Sequence, residues 1–275
     1  MMSAIDVYEP FNRGLPPLKK YAKQLFGRRA FIAEFAKSEL RRQNFGSPLG
    51  QIWLVLNPLL LSAVYFLLII IISGQTDSAR YAHLTAGLFA FYMITNSITA
   101  GAKSVTAGGR LILNSAFPRI MLPIAASVVA LFKFIPTLIV LFAIHIILGL
   151  PITFALFWAI PLIFIFYIFS LACAILFSCI NVYFRDIQNL LPYLTRTLLY
   201  LSPVLYESSA LTEKLSILKT INPLYPMLDS WSRVMVKGEL PFAADVFQSL
   251  IWTLALLAIS SYLFLSRERE FAVRI

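Results

Sequence analysis

The chain has 275 residues, of which 59% are apolar and 13% charged, with a formal net charge of +10. A soluble domain of this length carries roughly twice that charged fraction, and a mean hydropathy of +0.80 excludes one. The basic residues gather beside apolar runs rather than along one soluble face, so the charge points to anionic lipid and not to nucleic acid.

Residues 1–27 read as an N-terminal cytoplasmic tail. Over 28–43 (RRAFIAEFAKSELRRQ) a helix places Phe31, Ile32 and Phe35 on one face and Glu34, Lys37 and Arg41 on another, with Glu39 and Leu40 breaking the stripe. Two roles suit it: an amphipathic helix in the membrane interface with its basic side chains toward anionic headgroups, or a helix docked on a partner protein. Residues 51–73 (QIWLVLNPLLLSAVYFLLIIIIS) carry no charge. At about 1.5 Å per residue such a helix just spans a hydrocarbon core of roughly 30 Å. It reads as a signal anchor, since too long a polar stretch precedes it for a cleavable signal peptide.

Five more spans follow. They are 82–101, interrupted by His83, Asn96 and several Thr and Ser; 121–148, with Lys133 and Pro136; 152–180; 190–205, short and holding Arg196; and 247–265. Runs of about twenty residues satisfy their own backbone in lipid as helices. The segment 206–246, with Pro223, Pro226 and Pro241, is too amphipathic for a plain loop and too broken for a span. Its INPLYPMLDSWSRVM stretch (221–235) suits short re-entrant helices dipping into the outer membrane surface. The expected fold is therefore a single all-α integral membrane domain of six transmembrane helices. Six spans put both termini on one side. That side holds 16 Lys and Arg, nine of them within the first fifty residues, against five opposite, with Lys133 and Arg196 inside spans. The excess marks the cytoplasm, so both termini are expected there.

Several chemistries are missing. GAKS at 101–104 has the wrong order and spacing for a phosphate-binding loop. His83 and His145 stand too far apart for a zinc site. Cys173 and Cys179, about 240° apart around a helix, neither pair nor chelate, so no metal site is expected. No Asp or Glu lies within a span, which argues against a proton-relay transporter. Asp77, Asp186 and Glu207 lie near span ends without a partner for acid–base work. A membrane-embedded enzyme acting on lipid-linked sugar thus lacks its catalytic group, but it remains the alternative from another class. A chain without nucleotide site or proton carrier needs an energised partner.

Two cations lie at membrane depth, where charge is costly. Arg196 shares a helical face with Tyr193 and Tyr200. That stripe suits an anionic, sugar-bearing ligand, with aromatic faces on sugar rings and guanidinium on phosphate; the other reading is an arginine snorkelling to the cytoplasmic surface between packed tyrosines. Lys133 either faces a cavity or bonds backbone carbonyls. Trp53, Tyr65, Phe66, Phe89, Phe91 and Tyr92 either line a sugar path or anchor the interfaces.

Three stretches together resemble one family. LRRQNFGSPLGQIWLVLNPLLL (40–61) has a basic helix end, a glycine turn, LG-x-x-W and NP. LNSAFPRIMLPIAA (113–126) has FPR-x-x-LP, and NVYFRDIQNLLPYLTRTLLYLSPVLY (181–206) has N-V-x-FRD and Y-L-S-P-V-x-Y. With Asn222–Pro223 and the SRERE–FA tail, they are similar in content and order to the transmembrane subunit of ABC-2-type polysaccharide exporters, which move O-antigen, teichoic acid, capsule or lipid-linked galactan. The resemblance implies a permease in a bacterial cytoplasmic (inner) membrane that pairs with a second copy of itself and two nucleotide-binding ATPase subunits. ATP and Mg would sit on those subunits, with no cofactor in this chain, and the cargo would be a polyprenyl-diphosphate-linked polysaccharide. Residues 28–43 would be the interfacial helix. Residues 102–118 would be the coupling region, with Lys103, Arg110, Asn114, Arg119, Arg185 and Asp186 toward the ATPase. Arg185 and Asp186 have a structural alternative, capping span four and turning the chain. Asn222, Pro223, Tyr225 and Trp231 would belong to outer gate helices. A drug or small-lipid exporter of the same architecture is the nearer alternative.

Overall fold

The computed structural model describes residues 15–43, 49–74, 77–115, 117–208 and 217–275. Residues 1–14 of the expected tail, 44–48 of the glycine turn and Lys214 of the basic count lie outside them. The described residues form helices and no strand: α1 (Leu18–Gly27), α2 (Arg29–Gln43), α3 (Trp53–Ser73), α4 (Ser78–Ala107), α5 (Gly109–Asn114), α6 (Met121–Ile147), α7 (Ala159–Tyr183), α8 (Ile187–Leu201), α9 (Ile217–Ile221), α10 (Leu224–Ser232), α11 (Ala243–Arg267) and α12 (Phe271–Arg274). Among them Met121–Ile147, Phe154–Tyr183 and Ala243–Arg274 are long and apolar enough to cross a membrane. Trp53–Leu68 is a shorter apolar stretch.

α4 is the centre of the bundle, packed against α7 and α6 and buried along most of its 30 residues. The polar residues that weaken it as a span face inward. The Ser97 hydroxyl donates to Ser127 of α6 at 2.9 Å and to the Ser170 carbonyl of α7 at 3.1 Å, and Ser62 of α3 meets Thr85 at 2.5 Å. Such interhelical bonds average about 0.6 kcal/mol in a membrane, where apolar burial between helices drives little. Close backbone approach does the rest. A Cβ on Gly101 would sit 2.4 Å from the Ala174 Cβ, so α4 and α7 touch there only because position 101 has no side chain. Asp77 caps α4, its carboxylate accepting from the Ala79 N–H at 2.9 Å.

The observed elements depart from the expected spans in physical ways. Residues 18–27, expected as tail, form a helix that buries Tyr21. The apolar stripe of α2 is used inside the chain: Phe31 packs on Phe35 and Phe117 with ring centroids 5.7 and 5.6 Å away, and α2 lies along α6. Arg29, Lys37, Arg41 and Arg42 remain outward. Pro151 and a 3₁₀ turn over Phe154–Trp158 delay α7. α8 has 15 residues, about 22 Å at the helical rise, short of a roughly 30 Å core. It stops because Pro203 forces Ser202 into extended backbone (φ −105°, ψ 153°).

After α8, α9 buries none of its residues, but α10 lies inside the bundle. α10 buries every residue but Asp229 and packs on α11, α4 and α7. A π-helical turn (Arg233–Lys237) follows and ends at Gly238 in the left-handed region (φ 64°). A second apolar cluster closes the basic end of the molecule, joining Tyr21, Ile112, Phe117, Met121, Val182, Phe264 and Phe271.

Candidate functional site

A cavity of about 230 Å³ lies among α3, α4 and α6, with Trp53, Asn57, Tyr92, Asn96, Lys133 and Thr137 in its wall. Lys133 therefore faces a cavity, one of the two roles its position allowed. The acid whose field reaches it is Glu39 of α2, which also holds Arg42 at 2.8 Å. Phe89 lines the same cavity, whereas Phe91 is buried in the core and Phe66 packs on Tyr81 at 5.0 Å.

Beside this cavity the Tyr65 hydroxyl interacts with that of Tyr200, with Arg196 in electrostatic reach. Tyr92 is in turn within reach of Tyr65. The structure thus gathers Trp53 with Lys133, and Tyr65 with Tyr200 and Arg196, with Tyr92 between the two groups. Tyr193 joins neither and is 69% exposed. Asn57, Asn96 and Glu39 complete the arrangement; the two amides were visible as polar residues in apolar runs, but no local pattern ties Glu39 to Lys133. Chemically, one cation, amides and aromatic edges inside an apolar bundle can accept a phosphate and sugar hydroxyls while excluding nothing apolar.

At the basic end, Lys103 and Arg185 line a shallow depression with Thr106 and Gln188. Arg110 lines an adjoining one with Leu113, and the two share Thr106, Ala107 and Ile275. Asn114 is exposed at the end of α5. Arg119 turns the other way: its backbone N–H donates to the Glu268 carboxylate and its guanidinium to the Glu268 carbonyl. Asp186 occupies the N-cap position of α8 without a side-chain cap bond, and Arg185 reaches the Arg274 carbonyl at 3.5 Å.

Two organising residues stand in the quoted motifs, N-V-x-FRD and SRERE–FA, but their sequence context gave neither a role. Asn181, fully buried, donates to the Ala102 carbonyl at 2.8 Å and Thr106 at 3.1 Å while accepting from Gln188 at 3.0 Å, which fixes the end of α4 against the α7–α8 turn. Glu268, 7% exposed, also accepts from the Tyr21 hydroxyl at 2.8 Å and so ties α1 to the tail.

At the opposite end, Asn222 donates to the Leu201 carbonyl and the Ser202 hydroxyl, at 2.9 and 3.0 Å, and accepts from the Leu224 N–H at 3.0 Å, pinning α8 to α10 beside Pro223. Trp231 is fully enclosed between Phe134 and Phe166 and donates to the Ala86 carbonyl at 3.0 Å, so its indole lines no opening. Cys173 and Cys179 are buried free thiols. Among the described residues no group of three or more His, Cys, Asp or Glu has metal-site geometry.

Comparison with known proteins follows this geometry. The profile of the family described as ABC-2 type transporter matches residues 32–236. An O-antigen export system permease protein RfbA of Klebsiella pneumoniae is 29% identical over 212 residues, which is 77% of this chain and 82% of the relative. Its namesake from Myxococcus xanthus is 26% identical over 255 residues, 92% of this chain and 98% of the relative. A profile match across three quarters of the chain, on an all-helical apolar bundle with a basic end, means that the chain belongs to the ABC-2 type transporter family.

Proposed function

We propose that this chain is the permease subunit of an ATP-driven exporter that carries a polyprenyl-diphosphate-linked polysaccharide across a bacterial inner membrane. The observation that carries this is the likeness, over 92% of the chain, to a permease named for O-antigen export. The cavity chemistry agrees with it: Lys133 for the diphosphate, then Trp53, Tyr92, Tyr65, Tyr200 and Arg196 along a route for sugar rings. Tyr193, exposed on α8, would border that route only where a second copy closes it. In this reading the chain works as a dimer of six-span subunits with both termini in the cytoplasm. Two ATPase subunits, binding ATP and Mg, dock on the face of Lys103, Arg110, Asn114, Arg185 and Asp186, while Arg119 braces that face from within. Gate helices α9 and α10 cover the outer end. Fuel comes from the partner, because the sequence holds no phosphate-binding loop and no acid within its spans.

Depletion of the chain, followed by analysis of lipid-linked glycans, tests the function. Polyprenyl-linked polymer should build up in the cytoplasmic leaflet; a normal glycan pool with retained drug or small lipid would overturn the cargo assignment. Modification of a lipid-linked glycan by the purified chain alone would favour the enzyme instead.

A further inference from the structure

The end of the bundle away from the basic face carries a second cavity, of about 320 Å³. Its wall comes from the start of α4, the residues just after α8, then α9, α10, the π-turn and the start of α11. The volume is at the small end of the roughly 300–1,000 Å³ typical of ligand pockets.

The lining is dense in polar groups and balanced in charge. Glu207, Asp229 and Asp245 face Lys219, Arg233 and Lys237 across it. Most are already paired. Lys237 donates to Glu207 at 3.0 Å and holds that carboxyl below the usual carboxylate range. Arg233 bonds Glu239 at 2.6 Å and lies 3.8 Å over the Phe242 ring. Ser208 donates to Oδ1 of Asp229. His83 is satisfied as a neutral ring when Ser232 donates to Nδ1 and Nε2–H donates to the Tyr206 carbonyl.

Tyr225 is the exception. It is only 3% exposed, yet its hydroxyl in this wall makes no well-formed hydrogen bond, although Ser208 and Asp229 stand near it. A buried polar group without a partner costs about 1–3 kcal/mol unless a ligand or water supplies one. The lining also narrows the ligand. A lipid tail would strip these charges of solvent for nothing. A lone anion or cation meets as many like charges as opposite ones. A neutral polyhydroxylated ring can both donate and accept everywhere in such a wall, and its C–H face suits Phe242.

We infer that this cavity binds sugar residues of the polysaccharide at the outer end of the bundle, with the Tyr225 hydroxyl and the Asp229 carboxylate bonding ring hydroxyls beside Phe242. The inference rests on the polysaccharide reading above and deepens it by assigning a glycan subsite outside the membrane path. A site there would hold each emerging segment while the transporter resets, and so oppose back-sliding.

The test uses the chain in lipid nanodiscs and, as probe, the surface polysaccharide of the strain that carries it, freed from lipid by mild acid. Calorimetry should show saturable binding, weakened about fivefold by Tyr225→Phe and about tenfold by Asp229→Asn, the size of one lost neutral or charged hydrogen bond. Tyr225→Phe keeps the shape of the wall and removes only an unpartnered hydroxyl, so it decides the matter even if Asp229→Asn does not fold. No saturable binding, unchanged affinity in Tyr225→Phe, or displacement of the glycan by inorganic phosphate would each overturn the assignment. If depletion still traps lipid-linked polymer inside, the subsite alone falls; if it does not, the cargo reading falls first.

Discussion

Glu268 accepts from Tyr21 and Arg119, and its own carbonyl accepts from the Arg119 guanidinium, so one turn after α11 joins the N-terminal helix and the start of α6. Asn181 and Asn222 do the same elsewhere with both ends of an amide. Buried polar groups of this kind are costly when orphaned, which is why each is fully engaged. At Gly101 the constraint is steric. Gly101→Val would drive side-chain carbons into the Ala174 backbone, whose Cα already lies 2.6 Å from a Cβ at that position. Overpacking typically costs about 1–3 kcal/mol, so thermal unfolding of the purified variant should begin at a visibly lower temperature. Lys133→Met keeps the length and removes the charge. Export measured as surface polysaccharide should fall about tenfold if the cation holds the diphosphate, since a charged hydrogen bond is worth about 1.5–3 kcal/mol; undiminished export would move the path away from the cavity.

Helices α4 and α10 are where composition misleads. α4 is the less apolar of the long helices because it is the one surrounded by protein, and its Ser, Thr and Gly residues serve contacts with α3, α6 and α7. α10 carries the proline and amphipathic signs of a surface helix, yet Trp231 anchors it inside the core. The short α5 lines one of the two depressions and displays Arg110. Charge reversal there, Arg110→Glu, should leave the fold intact, since the residue is exposed. It should weaken retention of the ATPase about a hundredfold in a mild-detergent pull-down, because like charges facing across an interface cost several kcal/mol. Full retention would place the coupling surface elsewhere.

For the molecule as a whole, the proposed function puts the basic end in the cytoplasm and the charge-balanced opposite end outside. Cysteine labelling of intact cells should leave residues at both the α1 and α12 ends unmodified and should label Leu240→Cys, an exposed position beside the π-turn, from outside; an α12 end reachable from outside would reverse the orientation. The membrane class, the helical fold and the family were all legible in the chain. Hydropathy and local motifs act over a turn or a span, and lipid enforces helices wherever twenty apolar residues run together. Legible too were Lys133 and Arg196 as charges within apolar runs, since a charge among apolar residues stands out unaided. Two contacts were not: Trp231 with Ala86, and Glu268 with Tyr21. They join residues 145 and 247 positions apart, and no periodicity encodes a hydrogen bond that only packing closes. The chain's composition chose its solvent and its elements, while the packed bundle chose which polar groups meet.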